Sequence, residues 1–238
     1  MNAGRTRSRV ALVLGCAVSL SLGDVTRPRD PWVFRCELEG RPRTLVVALQ
    51  TELWLAYDTE SCALIRATRG DPLAGSKAWS TDSGVGAWWL VRDGHAISLA
   101  VHYLGFDLRD GHAALHFELL GPDGARIEID ETPEFVRAGE LGDDPATIAP
   151  WLTTGKFGLR RTFQARGVPT GAQLSFTLSS SLRHPIGNFL ADNLRDFDER
   201  SAAPQTTRLT GRLPFEGAVS SNEILLFFEP ATSTDAKR

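Results

Sequence analysis

The chain has 238 residues, 42% of them hydrophobic, with 26 basic and 29 acidic side chains and three cysteines. A net charge of −3 argues against a nucleic-acid partner, which needs a basic stripe. The length suits one undivided β domain.

The first residues read as a targeting segment. Arg5, Arg7 and Arg9 form a basic n-region, and Val10 to Leu22 is an apolar run of signal-peptide length, too short to span a bilayer. Ser21-Leu22-Gly23 offers a small-x-small cleavage site, so residues 1–23 are expected to be removed. Val13-Leu14-Gly15-Cys16 also resembles a bacterial lipobox, which would put a lipid anchor on Cys16. Without residues 1–23, 23 basic side chains face 29 acidic ones. No second apolar span follows, so a periplasmic or secreted chain without a transmembrane segment is expected. Cys36 and Cys62 remain, an even pair for an oxidising compartment, and a Cys36–Cys62 disulfide is one expectation. Two separate buried thiols are the other.

Strands are predicted at 32–38, 44–49, 53–59 and 63–68, broken by Gly40-Arg41-Pro42, Gln50-Thr51-Glu52 and Glu60-Ser61. Residues 70–86 and 138–155, rich in Gly, Pro, Ser and Asp, read as long loops. Further strands follow at 159–165, 172–179, 208–215 and 223–228. Ile186, Phe189, Leu190, Leu194 and Phe197 recur at helical spacing and give the one helix candidate. Residues 230–238 read as a polar, disordered tail. The expected fold class is an all-β antiparallel sandwich of many short strands, one domain over 30–229, with at most one short helix.

The centre of the chain, Ala87 to Pro133, carries three Asp-Gly pairs between alternating apolar runs, a strong hairpin signal because Gly supplies positive φ. Ile97, Leu99, Val101 and Tyr103 share one face of a predicted strand. Pro122-Asp123-Gly124 fits a three-residue loop. It would set Leu119 opposite Ile127, Phe117 opposite Ile129, Glu118 opposite Glu128, and His116 opposite Asp130. The Asp110-Gly111 turn mixes faces unless a bulge intervenes, and Gly105 is the place for it.

Three passages carry a family resemblance. They are Trp32-Val33-Phe34-Arg35 with Arg41-Pro42-Arg43, Leu53 to Thr59 running into Cys62-Ala63-Leu64, and Gly124 to Glu134 with Ile127, Ile129, Glu131 and Pro133-Glu134. Together they resemble the β-rich N-terminal module of exported bacterial c-type cytochrome and sugar-dehydrogenase-like proteins. The resemblance implies a module that works beside an exported partner enzyme. It departs from the family where Tyr-Lys-Ala-Trp-Lys-Gly would follow Leu64, since Ile65-Arg66-Ala67-Thr68-Arg69-Gly70 stands there. No Cys-x-x-Cys-His is present, so no c-type haem and no other cofactor is expected. The family module has no assignable catalytic residues, and none carries over.

Two constellations compete with plain structural roles. His112, His116, Glu118, Glu128 and Asp130 line the polar face of the central hairpins. They are a solvated face, or an acid–base set of a sugar epimerase or mutarotase-like enzyme. An enzyme requires His102, His112 or His116 within reach of a carboxylate in a concave pocket. Trp79 and Trp151 fall in the two long loops, with Trp88 or Trp89 behind them, and are the expected ligand platforms, for a carbohydrate in the first instance. No Gly-x-Ser-x-Gly, P-loop or His-Glu-x-x-His signature occurs, nor is a metal site expected. The residues favour a non-catalytic binding or accessory module over the enzyme.

Overall fold

The computed structural model describes residues 30–74, 78–81, 87–121, 123–137, 157–183, 189–190, 195–203 and 206–228. The first strands are β1 (Trp32–Leu38), β2 (Arg41–Gln50), β3 (Leu53–Asp58) and β4 (Ala63–Thr68), an antiparallel meander. A 3-10 turn, Pro72–Ala74, leads to β5 (Ala78–Thr81), then β6 (Ala87–Arg92) and β7 (His95–Ser98). β8 (Ala100–Arg109), β9 (His112–Leu120) and β10 (Arg126–Arg137) follow. The chain continues with β11 (Phe157–Arg166), β12 (Ala172–Arg183), β13 (Phe189–Leu190), β14 (Arg195–Ala203), β15 (Thr206–Phe215) and β16 (Val219–Phe228). The all-β antiparallel fold read from the sequence is thus what the structure shows.

Among the described residues two sheets form. Sheet A runs β1-β2-β3-β4-β5-β12-β15-β14, with β6 beside β5 on the same edge of β12 and β7 on β6. Sheet B runs β13-β16-β11-β10-β9-β8. Their inner faces meet in one core of alternate residues: Leu45, Leu55 and Tyr57 from sheet A, and Phe117, Ile129 and Phe163 from sheet B. Each such side chain contributes roughly 1.5–3 kcal/mol by leaving water. Trp88, 2% exposed, stands at its centre with ring centroids of Phe117, Phe163, Phe176 and Phe215 all within 6.0 Å.

The hairpin turn at Asp123-Gly124 forms as those residues require, Pro122 lying outside the described residues. Gly124 has φ 79°, its N–H donates to Gly121 O, and Gly121 N–H donates to Ala125 O. The predicted oppositions of Leu119 with Ile127, Phe117 with Ile129, Glu118 with Glu128 and His116 with Asp130 are all observed. The β8–β9 register shifts between Tyr103 and Gly105, the bulge that the mixed faces demanded.

Three expectations need correction. The run from Ile97 to Tyr103 is not one strand: β7 pairs in sheet A and β8 in sheet B. The chain changes sheet at Leu99, whose N–H donates to Trp88 O at 2.9 Å. Periodicity cannot see this, because both halves alternate in phase. Among the described residues the helix candidate is also overturned, since Phe189–Leu190 pairs with β16 and Arg195–Ala203 with β15; Ile186 and Leu194 lie outside the described residues.

The third correction concerns the disulfide, because Cys36 and Cys62 are both free thiols. Cys62 belongs to the core between the sheets. Cys36 packs on the opposite face of sheet A, with the cluster around Trp54. Cys36 also lies across β2 from β3, by way of Thr44 and Asp58, two strand spacings of ~4.8 Å each. A disulfide allows Cα atoms no more than roughly 7 Å apart. Burial, then Glu131 and Asp58, push the Cys62 thiol up to about 12, so it packs as a small apolar group.

Candidate functional site

The outer face of sheet B collects the polar residues singled out from the sequence. His116 Nδ1 lies 2.6 Å from Asp130 Oδ1 and its Nε2 3.4 Å from Asp107. Arg166 Nη2 reaches Asp130 Oδ2 at 2.5 Å and its Nε reaches Glu128 at 3.4 Å. Arg126 donates to Glu118 at 3.1 Å, and His102 stands 3.9 Å from the same carboxylate. The opposed glutamates 118 and 128 therefore do not repel unanswered; each has its own arginine. Burial raises the Asp130 carboxyl, but hydrogen bonds from His116 and Arg166 outweigh it and hold the group below its usual range. His116, Glu118, Glu128 and Asp130 join one ion-pair lattice across the strands, and such partly wet pairs contribute little individually.

His112 differs. It stands at the start of β9, where the sheet opens. Gly121 and Ala125 form a hydrogen-bonded rung, and such rungs recur every second residue in an antiparallel pair. Counting on, rungs fall at 119/127, 117/129, 115/131 and 113/133. Position 133 is a proline, which has no N–H to donate. The β9 ladder accordingly ends at Glu131–Leu115, while the β11 ladder runs through Pro133 to Arg137. Between the freed edge of β10 and the β8–β9 turn lies a cleft of about 320 Å³. Leu49, Pro133 and Phe135 give it apolar wall; Gln50, His112, Glu134 and Arg160 give it polar groups. His112 Nδ1 lies 3.3 Å from Glu134 Oε1, and Arg160 Nη1 lies 3.5 Å from Glu134 Oε2. Arg160 is steadied from its far side by Glu223 at 3.6 Å.

Of the residues expected to act, His112 lines this cleft. Glu134 and Arg160 were missed as site residues. The signal for them was Pro133, a strand breaker inside a strong strand pattern.

The tryptophans are placed otherwise than expected. Trp88 is a core residue, so the ligand role suggested for it is corrected by its burial. Trp89, half-buried, sits between Ser98 and Ser175 on the other face of β6. Trp79 lies on β5, paired with β4 and β12, so the stretch 70–86 is not a continuous loop. Trp151 and residues 138–155 lie outside the described residues, as do residues 1–23, Cys16 and the tail 230–238.

A second charged group is sealed in the core. Arg161 Nε donates to Glu131 Oε1 at 2.7 Å and Nη2 to Oε2 at 3.2 Å. The Tyr57 hydroxyl of sheet A donates to the same Oε1 at 2.7 Å. Arg161 also lies over the Phe163 ring at 5.0 Å. Burial, then the neighbouring Glu131 charge, holds the Tyr57 hydroxyl well above its ordinary range. This group ties the two sheets together and has no access for a ligand.

Among the described residues no three His, Cys, Asp or Glu side chains are grouped to hold a metal, and no helix is long and apolar enough to cross a membrane. No protein-family model matches the chain, and no curated protein sequence matches it. Among solved structures there is a likeness to the 4-alpha-glucanotransferase from Thermococcus litoralis, with a TM-score of 0.41 and 8% identity. It covers 85% of this chain and 40% of that one, so the chain spans less than half of that protein.

Proposed function

We propose that this protein is an exported, non-catalytic binding module, and that the cleft beside Pro133 seats a carbohydrate. One observation carries the reading: an apolar wall of Leu49, Pro133 and Phe135 joins a charged set of Glu134, His112 and Arg160 in one small cleft. Ligand sites combine apolar lining with a few convergent polar groups in this way, in volumes from roughly 300 Å³ upward. A sugar ring matches it, having one face of C–H groups and an edge of hydroxyls that both donate and accept. Glu134 accepts from such hydroxyls, and Arg160 and His112 fix its orientation. The basic n-region and apolar run at the N-terminus support export, and the resemblance to modules of exported enzymes supports an exported partner enzyme. Either a cleaved signal or a lipid on Cys16 would deliver it there.

The test is a glycan and metabolite screen on the intact protein and on Glu134→Gln. A carbohydrate should bind the protein and bind the variant at least tenfold more weakly, with thermal unfolding nearly unchanged. Equal binding by both would move the seat elsewhere, Trp79 and Trp151 being next in line.

A second reading is favoured by the 3.3 Å approach of His112 to Glu134 in the cleft: a mutarotase-like enzyme with His112 and Glu134 as base and acid. Anomer interconversion followed by polarimetry, catalysed by the protein and lost in His112→Ala, would replace the module reading.

A further inference from the structure

We infer that two copies of the chain pair through the open edge of β1, with Cys36 of one copy facing Cys36 of the other. Among the described residues β1 stands at the end of sheet A with β2 as its one neighbour. The direction of its main-chain groups follows from the next ladder. Thr59 N–H donates to Arg43 O at 3.1 Å, so on β2 the groups of Arg43, Leu45 and Val47 face β3, and those of Thr44, Val46 and Ala48 face β1. Their β1 partners are Cys36, Phe34 and Trp32. The N–H and C=O of Val33, Arg35 and Glu37 therefore point to the open side. The turn agrees. Glu39 and Gly40, at φ 53° and 75°, form a two-residue loop between the partners Leu38 and Arg41, so Leu38 faces β2 and Glu37 faces out. An open edge strand usually carries a lysine, a proline or a bulge that turns other strands away. Trp32–Leu38 has neither lysine nor proline, and the extra residue of this hairpin lies on β2.

The edge is complementary to itself. In an antiparallel pair of identical strands, facing residues share a sheet face, so the two-fold axis passes through a residue. At Phe34 it would set Glu37 against Pro31, which has no N–H to donate. At Arg35 it would set two like charges together. At Cys36 it sets Arg35 of each copy against Glu37 of the other, on two hydrogen-bonded rungs that use the groups left open. Phe34 then meets Leu38, which extends the apolar cluster around Trp54 on the outer face. The two Cys36 residues form the non-hydrogen-bonded pair between those rungs, with Cα atoms roughly 4.5 Å apart, inside the span of roughly 4.4–6.8 Å that a disulfide allows. Cys36 is a free, half-buried thiol. The same side of the sandwich offers more apolar surface. The Arg35 guanidinium lies 5.6 Å over the Tyr103 ring of β8, β8 is the edge of sheet B, and it exposes Leu104 and Phe106.

The experiment is light scattering on the full chain over a concentration series under reducing conditions, followed by exchange with oxidised glutathione. Each disulfide formed joins two Cys36 sulfurs and releases two reduced glutathiones, which carry off the two thiol protons. A dimer is expected, locked by the exchange in the intact chain and in Cys16→Ser, and not locked in Cys36→Ser. Arg35→Glu turns two opposite-charge pairs into like-charge ones and should weaken the dimer about tenfold. Adding Glu37→Arg restores both pairs and should restore the dimer, which separates a lost interface from a damaged strand. A monomer at every concentration overturns the inference. So does a dimer that the exchange does not lock through Cys36, since the second copy then sits in another register or on another edge. A cross-link whose yield Arg35→Glu leaves unchanged is random collision and overturns it too.

Discussion

Glu131 and Glu134 stand three residues apart on one strand, and each is held by an arginine from the neighbouring strand. Arg161 serves the first and Arg160 the second. The period of two sends them to opposite faces. Glu131 and Arg161 are 1% and 3% exposed, whereas Glu134 and Arg160 are 29% and 31% exposed. The same pair of chemical groups is a structural tie on one side of the sheet and a partly exposed ion pair at the cleft on the other. Solvent makes the difference. Inside, the charges lack water and must satisfy each other fully, so every lost bond is felt. Outside, water competes for each group, so the pair contributes little to stability and is free to exchange partners.

The largest expected effect breaks the inner pair. Glu131→Gln leaves Arg161 buried without its counter-charge and should destabilise the fold by about 3–5 kcal/mol, read as a lower denaturant midpoint. Replacing both partners by apolar residues, Glu131→Leu with Arg161→Met, should recover most of that loss; failure to recover would mean that the pair also specifies the sheet packing. Tyr57→Phe removes one hydrogen bond to a charged group and should cost about 1.5–3 kcal/mol. Glu134→Gln on the outer face should shift stability by less than ~1 kcal/mol while weakening the ligand. A loss matching that of Glu131→Gln would erase the contrast between the faces.

The smallest effect is a pH dependence on the outer lattice. The folded Asp130 carboxyl sits below its usual range, despite burial, through its bonds to His116 and Arg166. A depressed folded value adds stability above the unfolded value, ~3.9, and that stability is lost as the pH falls through the folded value. Acid unfolding followed by fluorescence should therefore be shallower for Asp130→Asn below about pH 4. An identical acid limb in both would show that the lattice does not report on folding.

The outer lattice was legible in the sequence, because a hairpin with Gly in the left-handed position admits one register. That register places His116 against Asp130 and Glu118 against Glu128 without any tertiary information. The arginines that answer the glutamates were not legible as partners, since Arg166 arrives from β11, across a stretch that the hairpin arithmetic does not reach. The same holds for Arg160 at the cleft and for Arg161 in the core. Trp88 and Trp89 show the limit from the other side. Alternation says that one points inward, and only the packing of Phe117, Phe163, Phe176 and Phe215 says which.

The sequence by itself determined the first four strands, the central hairpins with their turns, the bulge at Gly105 and the all-β class, because these rest on local rules: period-two burial and the φ demanded at Gly turns. Tertiary structure alone decided which strands share a sheet, that the chain changes sheet at Leu99, and that Cys36 and Cys62 lie on opposite faces. It also decided that the gap opened by Pro133 becomes a cleft. A proline in a strand announces a missing hydrogen bond, but the cleft exists only because Leu49, Gln50 and Arg160 arrive from distant strands to line it. Local chemistry sets what each residue can do, and long-range packing sets which residues meet.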